Sequence, residues 1–194
     1  MNDEKRNENE YSVFPYCQHS LLIPSRCLGL RLLPFSLGHI DMLTALKSPI
    51  VSDTIHEIEA KIKTVDMAVA VWVCSRKYEK AIQQYRSGRA QRDMEKLGRK
   101  WGRNPAALAA QRIVFIDYLK TYFMAPPRRI PETQRQPSLP WHLSVFVTIP
   151  PATLYTPSEV WNMPLPRALE LFAAIGVNAG DASLIPMNQT GAKQ

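Results

Sequence analysis

The side chains of this 194-residue sequence that could hold a metal ion are three cysteines, Cys17, Cys27 and Cys74, and four histidines, His19, His39, His56 and His142. Cys17, His19, Cys27 and His39 could in principle supply four zinc ligands. A tetrahedral zinc site is normally built from two closely spaced ligand pairs, and only Cys17 and His19 are closely spaced here. Isolated buried thiols are the expected reading, with Cys74, inside an apolar run, in the core. Nucleophilic catalysis would need a nucleophile, a base and an orienting group brought together in space. Ser, His and Asp are all present, but none stands in a local signature such as a nucleophile elbow, and the carboxylates are scattered rather than paired. The residues point to no reaction and imply neither a cofactor nor a metal.

The strongest signal is electrostatic. The chain has 24 Lys and Arg against 17 Asp and Glu, a formal charge of +7. Ten of those cations fall between Arg76 and Arg103, opposed only by Glu79, Asp93 and Glu95, so this segment carries the whole excess. Lys80, Arg86, Arg89, Arg92, Arg99, Lys100 and Arg103 are expected to form a basic surface. Tyr78, Tyr85 and Trp101 are interleaved with them, a combination that can hold phosphates and stack bases. The same surface could instead meet an acidic protein. A second candidate is Trp161 to Leu169, where Trp161, Met163 and Arg167 could form an adaptable contact surface. They could equally fold the C-terminal helix back on the core.

The elements that position these residues read as helices joined by proline-bent connections, with 16 Pro and only 8 Gly. Residues 1–10 are polar and acidic, a flexible tail; residues 11–124 form a helical domain that includes the basic segment 76–103. An extended lead-in with one short strand precedes Ser36, which can cap a helix whose apolar residues are Leu37, Ile40, Leu43 and Leu46. Ser48-Pro49 stops it. A second helix falls within Val51–Lys63. Thr64 offers a cap for a third, Val65–Tyr85, whose first half is apolar on every side and belongs in the middle of the core; its valines would also suit a buried strand. Gly88 and the Gly98–Gly102 stretch punctuate the basic segment. Asn104-Pro105 then starts a helix running Ala106–Phe123.

Residues 125–140 read as a stiff, proline-rich connector. Leu143, Val145, Val147 and Ile149 alternate with other residues and predict a strand or hairpin near residues 141–150. Thr156-Pro157 repeats the cap-plus-proline start, and Arg167–Ile175 is the final helix, ended by Gly176. Residues 141–180 are thus a strand-plus-helix segment and 181–194 a loose tail. The fold class expected is mainly α, a helical bundle-like core. The sparse cysteines, a polar N-terminus without a secretory pattern and the absence of a run of the ~20 apolar residues that span a bilayer predict a cytoplasmic protein with no membrane partner.

Three stretches carry a resemblance. Leu33-Pro34-Phe35-Ser36-Leu37-Gly38-His39 leads into a helix ending at Ser48-Pro49. Asp66 to Arg76 precedes a Tyr-Glu pair, and Trp161-Asn162-Met163-Pro164-Leu165-Pro166 lies near the C-terminus. This arrangement resembles small helical proteins of tailed-phage and prophage tail-morphogenesis regions, of the tail assembly chaperone type. The likeness spans residues 30–80 and 155–176; the basic middle and the proline-rich connector are not part of it. The resemblance implies a non-enzymatic, mainly helical protein that keeps a long tape-measure protein soluble in the host cytoplasm. It implies that Leu37, Ile40, Leu43, Val69 and Val73 build the core, that Trp161 and Met163 touch a client helix, and that the basic segment steers acidic partners. A nucleic-acid-binding accessory protein using residues 76–103 is the alternative.

Overall fold

The computed structural model describes residues 26–51, 55–123 and 140–178. Two short strands, β1 (Arg26–Cys27) and β2 (Leu30–Arg31), precede nine helices among these residues: α1 (Leu37–Ala45), α2 (Ile55–Lys61), α3 (Thr64–Cys74), α4 (Tyr78–Arg86), α5 (Arg89–Gly102), α6 (Pro105–Phe123), α7 (Trp141–Ala152), α8 (Pro157–Asn162) and α9 (Leu165–Asn178). A 3-10 turn, Pro49–Val51, follows α1. The mainly helical class read from the sequence is the class observed. The expected tails, and all of the proline-rich connector except Pro140, lie outside the described residues.

β1 and β2 pair antiparallel across a two-residue turn, Leu28-Gly29, with φ of +51° and +82°. Glycine adopts this left-handed region freely, whereas a leucine there is strained by about 1–2 kcal/mol. Leu28 is held there by long-range bonds. Its N–H donates to Gln111 Oε1 at 2.7 Å, and its carbonyl accepts from Trp101 Nε1 at 3.0 Å. Burial of the Leu28 side chain adds to the hold.

Ser36 caps α1 as its position predicts, with a histidine where glutamate usually completes a capping box. The Ser36 N–H donates to His39 Nδ1 at 3.1 Å, and His39 Nε2 donates to the Arg76 carbonyl at 2.9 Å. Both ring nitrogens are therefore committed in the neutral Nε2–H form, and burial pushes the imidazole pKa down to about 4. Phe35 lies in the core beside His39, Tyr118 and Tyr122, at centroid distances of 5.7, 6.3 and 6.4 Å.

The apolar run becomes the central helix α3, with Met67, Ala68, Val71, Trp72, Val73 and Cys74 buried. Each large side chain buried there contributes about 1.5–3 kcal/mol relative to exposure. The expected core positions Leu37, Ile40, Leu43 and Val73 are buried, while Val69 is only half-buried. Two boundaries differ from expectation. Lys63, not Thr64, occupies the cap position, and its N–H donates to Asp66 Oδ2 at 3.3 Å. The predicted helix to Tyr85 breaks at Ser75–Lys77, where other groups take the terminal carbonyls of α3. The Leu33 N–H donates to Cys74 O at 2.8 Å, and Ser75 Oγ and Arg76 Nη1 both donate to Trp72 O at 2.8 Å. The restart at Tyr78 is capped from a distance, its N–H donating to Asn162 Oδ1 at 3.0 Å.

Gly88, at φ +70°, turns α4 into α5. Gly98 and Gly102 do not interrupt the chain as expected; both lie within α5. Gly98 faces α3, where an added Cβ would meet Ala68 at an ordinary 3.9 Å, so the glycine leaves the helix unbroken at a position that also has room for a side-chain carbon. Asn104 caps α6 as predicted, its Oδ1 accepting from the Ala107 N–H at 3.1 Å.

The strand expected near residues 141–150 is instead α7. His142, Val145 and Ile149 are buried along it, a three- then four-residue step, while Val147 is 51% exposed. Alternation over so short an apolar segment is also compatible with one helical face, and packing against α9, α8 and α1 decides between them. Thr156 and Glu159 form a capping box at α8, with Thr156 N–H to Glu159 Oε2 at 2.8 Å. The last helix begins at Leu165 and continues through Gly176 rather than stopping there. An antiparallel bridge between Ser36 and Pro164, with the Leu165 N–H donating to Phe35 O at 2.7 Å, joins the two ends of the fold.

Candidate functional site

α5 has two faces of opposite character. Ala90 is buried, and Met94, Leu97 and Trp101 pack against the core. Arg89, Arg92, Lys96, Arg99 and the C-cap residue Arg103 are all exposed. These five cations advance by steps of three, four, three and four residues. At 3.6 residues per turn they form one row on the side opposite the apolar face, about 21 Å long at 1.5 Å per residue. Arg89 approaches Asp93 at 3.9 Å and Arg99 approaches Glu95 at 3.8 Å, both loose surface pairs worth well under about 1 kcal/mol. Arg92, Lys96 and Arg103 make no ion pair among the described residues.

The structure thus brings Arg89, Arg92, Arg99 and Arg103 together and adds Lys96. Their spacing was the signal available in the sequence, hidden by reading Gly98 as a break. Lys80 and Arg86 are exposed on α4, and Lys100 lies beside the row with its Nζ 5.7 Å from the centroid of the Trp101 ring. Arg76 is used structurally. Its guanidinium lies 4.3 Å over the Trp72 ring, donates to Gln84 Oε1 at 2.8 Å and stands 3.9 Å from Asp93.

The interleaved aromatics do not form the expected stacking surface. Trp101 turns inward to bond Leu28. Tyr78 donates its hydroxyl to Asp41 Oδ2 at 2.6 Å and packs on Trp161 at 4.7 Å. Tyr85 alone of the three is exposed, about 50%.

The second candidate surface also turns inward. Trp161 is stacked on Phe146 at 3.9 Å and 16°, with Tyr78 as its other neighbour. Met163 is only 7% exposed, and Arg167 lies on the surface 3.4 Å from Glu170. Trp161 in α8 and Met163 at its C-cap therefore pack within the fold, Met163 buried and Trp161 half-buried, as α8 lies on α1, α4 and α7. Asn162 fixes this arrangement: besides accepting from Tyr78 N–H, its amide donates to both Glu79 oxygens at 3.1 and 3.0 Å.

Among the described residues no group of three His, Cys, Asp or Glu could hold a metal ion. Cys17 and His19 lie outside them. Cys27 and Cys74 are buried, and burial pushes both thiols up to about 12, so neither is a thiolate near neutrality. His142 Nε2 is 3.6 Å from Asp41 Oδ1, and Tyr78 shares that carboxylate. Burial lowers the His142 pKa against the pull of Asp41 and raises that of the Tyr78 phenol. The three side chains join α7, α1 and α4.

A groove of about 420 Å³ lies between the start of α3 and the first half of α6, lined by Ile62, Lys63, Thr64, Met67, Pro105, Leu108, Ala109 and Arg112. No described helix is long and apolar enough to cross a membrane. No protein-family model, curated protein or solved structure matches this chain.

Proposed function

We propose that this chain is a non-enzymatic assembly protein of the tail assembly chaperone type, acting in the cytoplasm, the host's if the chain is phage-encoded. It binds a long helical client of tape-measure kind and keeps it soluble. The observation that supports this reading is the cation row of α5, whose three-four spacing is the period on which a second helix repeats its own side chains. A client helix with acidic residues at that period can lie along the row, gaining on-rate and register from charge while its apolar face is shielded.

The row would also suit a nucleic-acid backbone. The inward turn of Tyr78 and Trp101 favours the protein partner, because unspecific single-strand binding draws much of its energy from aromatic stacking. Duplex phosphates remain the competing ligand.

The test is co-expression with a long helical tail protein, using the wild-type chain and the triple variant Arg92→Gln, Lys96→Gln, Arg99→Gln. The wild type is expected to keep the client soluble and the variant to lose that effect. Equal insolubility of the client with and without the chain overturns the reading. A steep fall of DNA or RNA binding with salt, abolished in the triple variant, would establish the alternative instead.

A further inference from the structure

We infer that the groove between α3 and α6 seats the apolar side of an amphipathic helix whose flanks are acidic. The inference rests on the proposed helical client and deepens it, since it assigns the surface that would cover the client's apolar stripe.

The floor and walls of the groove are apolar: Ile62 and Met67 are buried beneath it, Leu108 is half-buried and Ala109 is exposed. One turn beyond Ala109 on α6, Ile113 is 65% exposed, so the apolar surface continues along the helix. Ala109 and Pro105 are small enough for a partner backbone to approach closely.

The rim is cationic. Lys63 is exposed on the α3 side, and Arg112 reaches from α6 to the end of the groove at Ile62, its guanidinium fixed there by donation to the Ile62 carbonyl. Arg103, the last member of the α5 row, is two residues before Pro105 in sequence. Among the described residues no acidic side chain lines the groove. An apolar floor between cations is complementary to a helix with a Leu-type stripe flanked by Glu or Asp, the helix-in-groove mode of recognition. Its volume falls at the low end of the range for ligand clefts, about 300–1,000 Å³, which suits a row of side chains.

The probe is a synthetic amphipathic peptide of about three heptads, with Leu on one face and Glu on both flanks. Its binding to the full chain is read by fluorescence anisotropy. A peptide of the same composition in scrambled order is the control. Ala109→Glu and Ile113→Glu place a carboxylate at exposed positions where the fold has nothing to lose, which circular dichroism checks. Each is expected to weaken binding at least about tenfold, and the Arg92→Gln, Lys96→Gln, Arg99→Gln variant to weaken it as well. If the row variant loses the peptide and the groove variants bind like wild type, the groove assignment is overturned while the proposed function stands. Equal binding of the scrambled peptide, or no binding of the amphipathic one by wild type, also overturns the groove; client solubility in co-expression then still decides the function separately.

Discussion

The Tyr78 hydroxyl donates to the Asp41 carboxylate at 2.6 Å, joining α4 to α1. The same ring packs on Trp161, so one side chain ties the N-terminal helices to the C-terminal ones. Removing the hydroxyl alone isolates the polar half of this tie. Tyr78→Phe is expected to destabilise the fold by about 1–2 kcal/mol, since bonds to charged groups are the stronger ones. Urea unfolding should show a lower midpoint with an unchanged slope.

Gly38, buried in α1, lies directly against the Tyr78 side chain. A Cβ there would stand 2.7 Å from Tyr78 Cβ, an atom fixed to the α4 backbone. Alanine normally improves a helix interior by about 1 kcal/mol over glycine. Here the overlap should reverse the sign, and Gly38→Ala is expected to destabilise by about 1–3 kcal/mol. A rise in thermal midpoint would show that α1 and α4 can move apart.

His39 makes stability pH-dependent. Its folded pKa is pushed down to about 4 by burial, from an unfolded value of 6.5. The unfolded chain therefore binds the proton first, and stability is full above pH 6.5 and falls as the pH drops toward 4. The loss is on the order of 3 kcal/mol at most. His142, also shifted down by burial, acts in the same direction. Urea midpoints between pH 7 and pH 4.5 measure the slope; His39→Gln should flatten it, even though that variant is less stable at neutral pH.

The buried thiols give a probe of opening. In a Cys17→Ser background, Cys27 and Cys74 are expected to react with a thiol reagent only as fast as the protein opens, because both are buried and pushed up to about 12. Rapid labelling of either in the native protein would contradict their placement.

Local chemistry made much of the fold legible. Ser36, Asn104-Pro105 and Thr156-Pro157 start helices where their capping groups say they should, because a cap depends on only a few neighbouring residues. Non-local contacts decided the rest. The segment around Val145 is a helix because of what α1, α8 and α9 place against it, and the break before Tyr78 is capped by Asn162, far away in sequence. Trp161 and Met163 could not be assigned to surface or interior from their types alone. The cation row was legible in principle, since it depends only on period, but it required a helix running unbroken through Gly98.

The bond between Phe35 and Leu165 spans most of the polypeptide. On the ribosome, α1 emerges long before the segment that closes against it exists, and such distant closures are slow to form. Until Leu165 has been made, the Phe35 carbonyl lacks its bond and the bridge at Ser36 lacks Pro164, so a product terminated upstream of Pro164 cannot close this end of its core.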